Sequence, residues 1–348
     1  MATFKDQSRI FLIGCVAIFC CSVLADGDKI GVDYGMTADN LPSPDEVVTL
    51  MKSNNIGKTR IYQENDVVLQ AFANSGIDVI VGVANEELKN ISSSQDSANR
   101  WVNEHIVPFY PATNVKYIAV GNEVLITLDN VQYVPYLVPA MNNIQTAIQN
   151  AKLQDSIKVS TTHRPDVSSG YPPSKGVFVD AVKDTMSQIL NFLSQNGGPF
   201  MADVYPYFSY IGNTKDISLD YALFKSTSTV VQDGDHSYTN LFDAMVDTLL
   251  SAMEASGYPN IPIVITESGW PSAGAEVATI ENAQTYNNNL IKHVLSNAGT
   301  PKRPGMSIDT YVFALFNEDL KPGDETEKHF GLFDPNTKQP VYSVNFSP

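Results

Sequence analysis

Three apolar runs in this 348-residue chain end abruptly on a glutamate: YIAVGNEV at Glu123, IVITESGWP at Glu267 and YVFALFNED at Glu318. A single glutamate in such a place commonly caps a strand or pairs with a base. Three that converge on one end of one sheet imply chemistry. Crowded, partly desolvated carboxyls cannot all ionise, so one is driven to hold its proton while another stays charged. An acid beside a carboxylate is the pair that cleaves a glycosidic bond. One protonates the leaving oxygen, and the other attacks the anomeric carbon or activates water. Bases are scarce near these segments, apart from Arg60 and Lys321. Strand alternation puts Glu123 on the face of Ala119 and Gly121, whose small size leaves room. It puts Glu267 on the face of Ile263 and Ile265.

Aromatic residues cluster at comparable places: Tyr34, Tyr62, Tyr205, Tyr207, Phe208, Tyr210, Trp270 and Phe316. Sugar rings carry apolar C–H faces that pack on aromatic rings, so these residues could line a saccharide groove. Each could equally be core packing.

The elements that must position these groups alternate. Short runs rich in Val, Ile, Tyr and Phe predict strands at Ile30–Tyr34, Thr59–Tyr62, Asp78–Val83, Lys116–Gly121, Lys158–Thr162, Met201–Tyr205, Pro262–Thr266 and Thr310–Phe316. Helical spacing follows Ser43-Pro44-Asp45-Glu46, a cap with proline and acids in the first turn, and recurs over Phe178–Leu193 and Leu241–Met253. Gly57, Gly76, Gly197 and Gly257 stand where helices should stop. Eight strands alternating with helices predict a single α/β domain, a (β/α)8 TIM barrel, whose active groups gather at the C-terminal strand ends. The rival is an open doubly wound sheet, which would carry a glycine-rich phosphate turn after the first strand. The residues there, Tyr34 to Asn40, lack that spacing. The long section Ile211 to Asn240 predicts an excursion between strand 6 and helix 6.

Composition narrows the class. Charged residues are 17% and hydrophobic residues 43%, a globular balance. Lys5 and Arg9 precede an apolar stretch, Ile10 to Leu24, closed by small residues at Val23-Leu24-Ala25. Residues 1–25 therefore read as a cleaved signal peptide, leaving 26–348 as the catalytic domain. The stretch is short for a membrane span of roughly 20 residues. All three cysteines, Cys15, Cys20 and Cys21, fall inside it. The mature chain would then have no disulfide, thiolate nucleophile or cysteine metal site. The net charge of −16 becomes one unit more negative without the leader. So acidic a surface repels nucleic acid and anionic membranes and suits a neutral partner.

At the same motifs the chain resembles plant glucan endo-1,3-β-glucosidases of glycoside hydrolase family 17. The matching blocks are IGVDYG, LPSPDEVV, YIAVGNEV, VYPYFSY, LDYALF, LFDAMVD, ITESGWPSAG, TYNNNLIKHV, FALFNEDLKPGDETEKHFGLF and PVYSVNF, in order along the mature chain. The resemblance implies a (β/α)8 barrel that hydrolyses β-1,3-glucan internally by a retaining double displacement, without metal or organic cofactor. It implies Glu267 as nucleophile and Glu123 as acid/base, with carboxyls about 5–5.5 Å apart. It places Glu318, Lys321 and Glu327 as supporting charged residues and Asn122 beside the acid. Tyr62, Tyr205 and Trp270 fall on substrate-cleft positions. Tyr34, Phe208 and Phe316 complete the expected substrate contacts.

Two departures stand out. The family often has Cys or Asn where this chain has Asp33, and usually Asn where it has Asp203. Both are expected to add negative charge near the mouth, shifting the pH optimum or weakening activity. The stretch Thr162-His163-Arg164-Pro165-Asp166 is also unusual, with His163 expected to be structural. The chain stops at Pro348, after the last barrel block, which suits secretion to the cell-wall space as a monomer. Asn90-Ile91-Ser92 is a glycosylation pattern, and Asn345-Phe346-Ser347 a second, weakened by Pro348. Two alternatives remain open: a β-1,3-1,4-glucanase using the same glutamates, and a catalytically weakened glucan-binding defence protein or allergen.

Overall fold

The computed structural model describes residues 29–347; the expected leader and its cysteines lie outside them. Eight parallel strands close into a barrel: β1 (Gly31–Asp33), β2 (Lys58–Ile61), β3 (Asp78–Val83), β4 (Asn114–Asn122), β5 (Lys158–His163), β6 (Phe200–Asp203), β7 (Ile263–Ser268) and β8 (Asp309–Val312). Each pairs with its sequence neighbours, and β8 closes on β1 through Gly31 opposite Tyr311. The eight predicted strands are therefore all present, Asp78–Val83 at its predicted bounds and the others with ends moved by up to four residues. The largest difference is at β8, which leaves the ladder at Val312 rather than Phe316.

Two cores result from the alternation of side chains. Ile80, Ala119, Met201, Val264 and Tyr311 fill the barrel, with Tyr117 packed against them. A larger layer lies between strands and helices, drawn from residues such as Val32, Val81, Val120, Val159, Ile265 and Leu290. Gly31 has a steric cause, since any side chain there would occupy the space of the Tyr311 ring.

The first helix, α1 (Pro44–Ser53), begins as its sequence indicates. Pro44 opens it, and the Ser43 amide donates to Glu46 Oε2 at 3.1 Å. Its end differs from expectation: the chain turns left-handed at Asn55, while Gly57 adjoins Lys29 further on. Gly197 does serve as a left-handed cap, after the helix Lys183–Asn196. The helix expected from Phe178 starts later, because Val177–Phe178 forms a small ribbon with Ser168–Ser169. The excursion after β6 contains the helix Pro206–Gly212, the turn Leu219–Ala222 and a ribbon of Val231–Asp233 with His236–Tyr238. Asp233 accepts from the Ser174 amide and hydroxyl, which ties the ribbon to the loop after β5. No helix among the described residues is long and apolar enough to cross a membrane.

Candidate active site

A cleft of about 740 Å³ opens at the C-terminal ends of the strands. Glu123, Glu267, Glu318, Lys321 and Glu327 all line it, as do Asn122, Tyr62, Tyr205 and Phe208. The ends of strands 4 and 7 and the loops after strands 2, 4, 6 and 8 thus deliver side chains from across the sequence into one space.

Glu123 reaches the cleft through a turn rather than through strand parity. β4 ends at Asn122, and both Gly121 and Glu123 have positive φ, +73° and +49°. The space beside Gly121 faces Val124, Leu88 and Asn85, so its small size serves the turn, not the barrel interior. A left-handed glutamate costs roughly 1–2 kcal/mol. Hydrogen bonds hold it there: the Glu123 amide donates to Thr162 O at 3.1 Å, and Asn130 Nδ2 donates to Glu123 O at 3.2 Å.

Glu267 corrects the alternation argument more directly. Val264 faces the barrel interior, whereas Ile265 belongs to the outer layer. Unbroken alternation would therefore send Glu267 towards the helices. The register slips between Ile265 and Glu267 against β6, and between Ile265 and Ser268 against β8. This bulge re-aims the carboxylate into the cleft.

The environments of the two glutamates differ in kind. Glu267 Oε1 accepts from Arg60 Nη1 at 2.8 Å and Tyr62 OH at 2.9 Å, and Oε2 accepts from Tyr205 OH at 2.7 Å. Three donors around one buried group suit a carboxylate. Burial pushes the phenols of Tyr62 and Tyr205 well above their ordinary range, reinforced by nearby acids, so both stay donors. Burial opposes the charge on Arg60, but its surroundings, with the Glu267 carboxylate 2.8 Å away, outweigh it and hold the guanidinium protonated. Glu123 has no comparable donors. Burial, and then the nearby Glu267 charge, push its carboxyl up to about 7. The site thus contains a carboxylate dressed with donors and a carboxylic acid that keeps its proton to near neutrality.

Arg60 was legible only as a nearby base, yet it organises the floor. Its Nη2 donates to Asn122 Oδ1 at 2.6 Å, while Nη1 also approaches Asp203 Oδ1 at 3.3 Å. Asn122 in turn exchanges two hydrogen bonds with Asn85. Asp33 and Asp203 are fully buried, and that burial, followed by Glu267, raises both far above the usual carboxylate range. The expected extra charge at the mouth is corrected accordingly: these acids are poised to be neutral.

Glu318 lies beyond the end of β8 rather than on it. Thr37 N donates to its Oε1 at 2.9 Å, and Lys321 Nζ stands 3.5 Å from Oε2. A side chain at Gly35 would collide with its carboxylate. Lys321 also sits 4.0 Å above the Phe313 ring. Burial raises the carboxyl of Glu327, further along the same loop.

Three expected substrate contacts are corrected. Trp270 is fully buried, donates from Nε1 to Val277 O at 2.9 Å and packs on Tyr207, Tyr210 and Tyr286. Tyr34 and Phe316 pack edge to face beneath the surface. None of the three lines the cleft. Phe313 and Phe330 do, with Met36 and Arg164. Phe313 continues the inward parity of Tyr311, a usable signal. Phe330 belongs to no periodic element and gave none. His163 faces Phe200 in the outer layer, where burial pushes it down to about 3, as suits its expected structural place. Asn90 is exposed on the helix Leu88–Ser93.

The sequence profile of glycosyl hydrolases family 17 matches residues 30–346. The chain belongs to glycosyl hydrolase family 17. It is 48% identical to a glucan endo-1,3-beta-glucosidase of Vitis vinifera, covering all of both chains. It is 49% identical to an acidic isoform from Zea mays, over 92% of each. Among solved structures it resembles CJP38, a beta-1,3-glucanase and allergen of Cryptomeria japonica pollen. That similarity has a TM-score of 0.90 and 69% identity, covering 92% of this chain and 99% of the other. The family 17 assignment and the barrel agree with the sequence resemblance.

Proposed function

We propose that this family 17 protein hydrolyses internal β-1,3-glucosidic linkages of β-1,3-glucan with retention, using Glu267 as nucleophile and Glu123 as acid/base. The observation that carries the assignment is the contrast between them. Glu267 is surrounded by Arg60, Tyr62 and Tyr205 as donors, while burial and the Glu267 charge keep the Glu123 proton in place to about 7.

In the first step Glu267 attacks the anomeric carbon. The bond to the leaving oxygen breaks, and that oxygen takes the proton of Glu123. Once Glu267 is esterified, its negative charge disappears and one cause of the raised Glu123 pKa goes with it. Glu123 is then better placed to be ionised and to take a proton from water, whose oxygen displaces Glu267. Phe208, Phe313 and Phe330 offer ring surface to the sugar faces, and an uncharged polysaccharide is compatible with an acidic protein.

Residues 1–25 fit a cleaved leader and 26–348 a single catalytic domain, exported to the cell-wall space and active as a monomer. Amino-terminal sequencing of the exported protein, starting at Asp26, tests that part.

The deciding experiment is on Glu267→Gln and Glu123→Gln. The first abolishes release of reducing ends from laminarin with glucan binding intact. The second loses about 10²–10⁴-fold on laminarin but far less on a dinitrophenyl glycoside, which needs no acid. Proton NMR of the first wild-type product shows the β anomer. Substantial turnover by Glu267→Gln, or a first-formed α anomer, rules the scheme out. Barley mixed-linkage glucan, assayed beside laminarin, separates the two linkage specificities.

A further inference from the structure

The unusual stretch after β5 brings one more cation to the cleft. Arg164 follows the last residue of the strand, and Pro165 beside it also lines the cleft. The backbone here is continuous with the acid's own: Glu123 N donates to Thr162 O, two residues before Arg164. The guanidinium is fixed. Its Nε stands 3.1 Å and 3.2 Å from the two Asp166 oxygens, and Nη2 stands 3.1 Å from Oδ2. Such a fork removes rotamer freedom before any ligand arrives. The Arg164 side chain remains 43% exposed, so it still presents N–H groups to the cleft. Its side of the cleft is that of Glu123, whereas Tyr205, Phe313 and Lys321 come from the later strands. The group that Glu123 protonates is the leaving sugar's oxygen, so the departing chain must lie on the acid's side.

We propose that Arg164, held by Asp166, binds the sugar unit on the leaving side of the scissile bond. The inference rests on the assignment of Glu123 as acid. A guanidinium suits vicinal hydroxyls, which accept its hydrogen bonds while its charge stays balanced by Asp166. The same charge faces Glu123. The charged groups around that carboxyl are Glu267 and Asp166, which hold its proton on, and Arg164 and Arg60, which favour its release; Asp203 beside them is poised to be neutral. Arg164 thus has a second measurable effect, on the acid's titration.

The test uses the intact protein with Arg164→Met and Asp166→Asn, each checked for an unchanged thermal transition. Arg164→Met raises KM for laminarin about tenfold, the size of one lost charged hydrogen bond. Its kcat/KM on a nitrophenyl laminaribioside, whose leaving group is a phenol and not a sugar, stays within about twofold of wild type, the range expected when no such bond is lost. The alkaline limb of kcat/KM moves up in pH for Arg164→Met and down for Asp166→Asn, because the two variants remove opposite charges. An equal change on both substrates, or no change on laminarin, overturns the proposal, as do limbs moving in the same direction. Wild-type hydrolysis of laminarin is the control. Its absence would sink the assigned activity itself, whereas wild-type activity with a silent Arg164→Met removes only this inference.

Discussion

Arg60 Nη1 lies 2.8 Å from Glu267 Oε1, and both side chains are almost wholly sequestered from solvent. One cation from β2 therefore holds Glu267 of β7, the proposed nucleophile. Through Nη2 it also holds Asn122, the residue before Glu123, the proposed acid. A lysine could satisfy one of these partners but not both, because it lacks the planar fork. Arg60→Lys should lower kcat on laminarin roughly 100-fold, the scale of losing a hydrogen bond to a charged group. Steady-state kinetics beside a thermal melt check this. A folded Arg60→Lys protein with wild-type kcat would show that the contact is incidental.

The pH profile should report Glu123. Its carboxyl is pushed up to about 7, so it holds its proton below that pH and loses it above. The alkaline limb of kcat/KM is therefore expected near neutrality, with activity falling as pH rises. In Glu123→Gln that limb should vanish from the residual activity on a dinitrophenyl glycoside. Its persistence would assign the limb to another group.

Asp33 should make stability fall with rising pH. Both its oxygens are buried without a hydrogen-bond partner, and burial raises its pKa in the fold. An unfolded aspartate ionises near 3.9. Between that pH and the raised folded value, the folded state binds more protons than the unfolded one. The neutral acid's contribution is full below about 4 and is lost as pH climbs through the folded pKa. Asp33→Asn does not titrate, so its Tm relative to wild type should rise from pH 4 to pH 7. A Tm difference that stays constant over that range refutes the neutral-acid reading.

Trp270 should matter for folding and not for substrate. The Trp270→Phe variant removes the indole hydrogen bond to the Val277 carbonyl, which still accepts from Asn282 Nδ2, and leaves a void among Tyr207, Tyr210 and Tyr286. A loss of about 0.5–1.5 kcal/mol is expected from the removed hydrogen bond, and the void adds to it. Denaturant unfolding measures it. KM for laminarin should stay unchanged, and a large KM increase without destabilisation would restore Trp270 to the cleft.

The sequence by itself determined the barrel and the family, and singled out the two glutamates proposed as the catalytic pair. Eight β-rich runs alternating with helical spacing leave few topologies, and a carboxylate closing an apolar run is visible wherever the strand ends nearby. The route into the cleft was not legible. Glu123 arrives through left-handed turns and Glu267 through a bulge, because both depend on neighbouring strands for their hydrogen bonds. Burial also had to wait for the tertiary structure. Trp270, Tyr34 and Phe316 carry the composition of a sugar platform, but packing between layers consumes their faces. Asp33 and Asp203 read as added charge until the fold removed their water. Residue type sets what a side chain can do; dielectric surroundings and the partner atoms in reach, supplied by distant segments, decided which of those things it does.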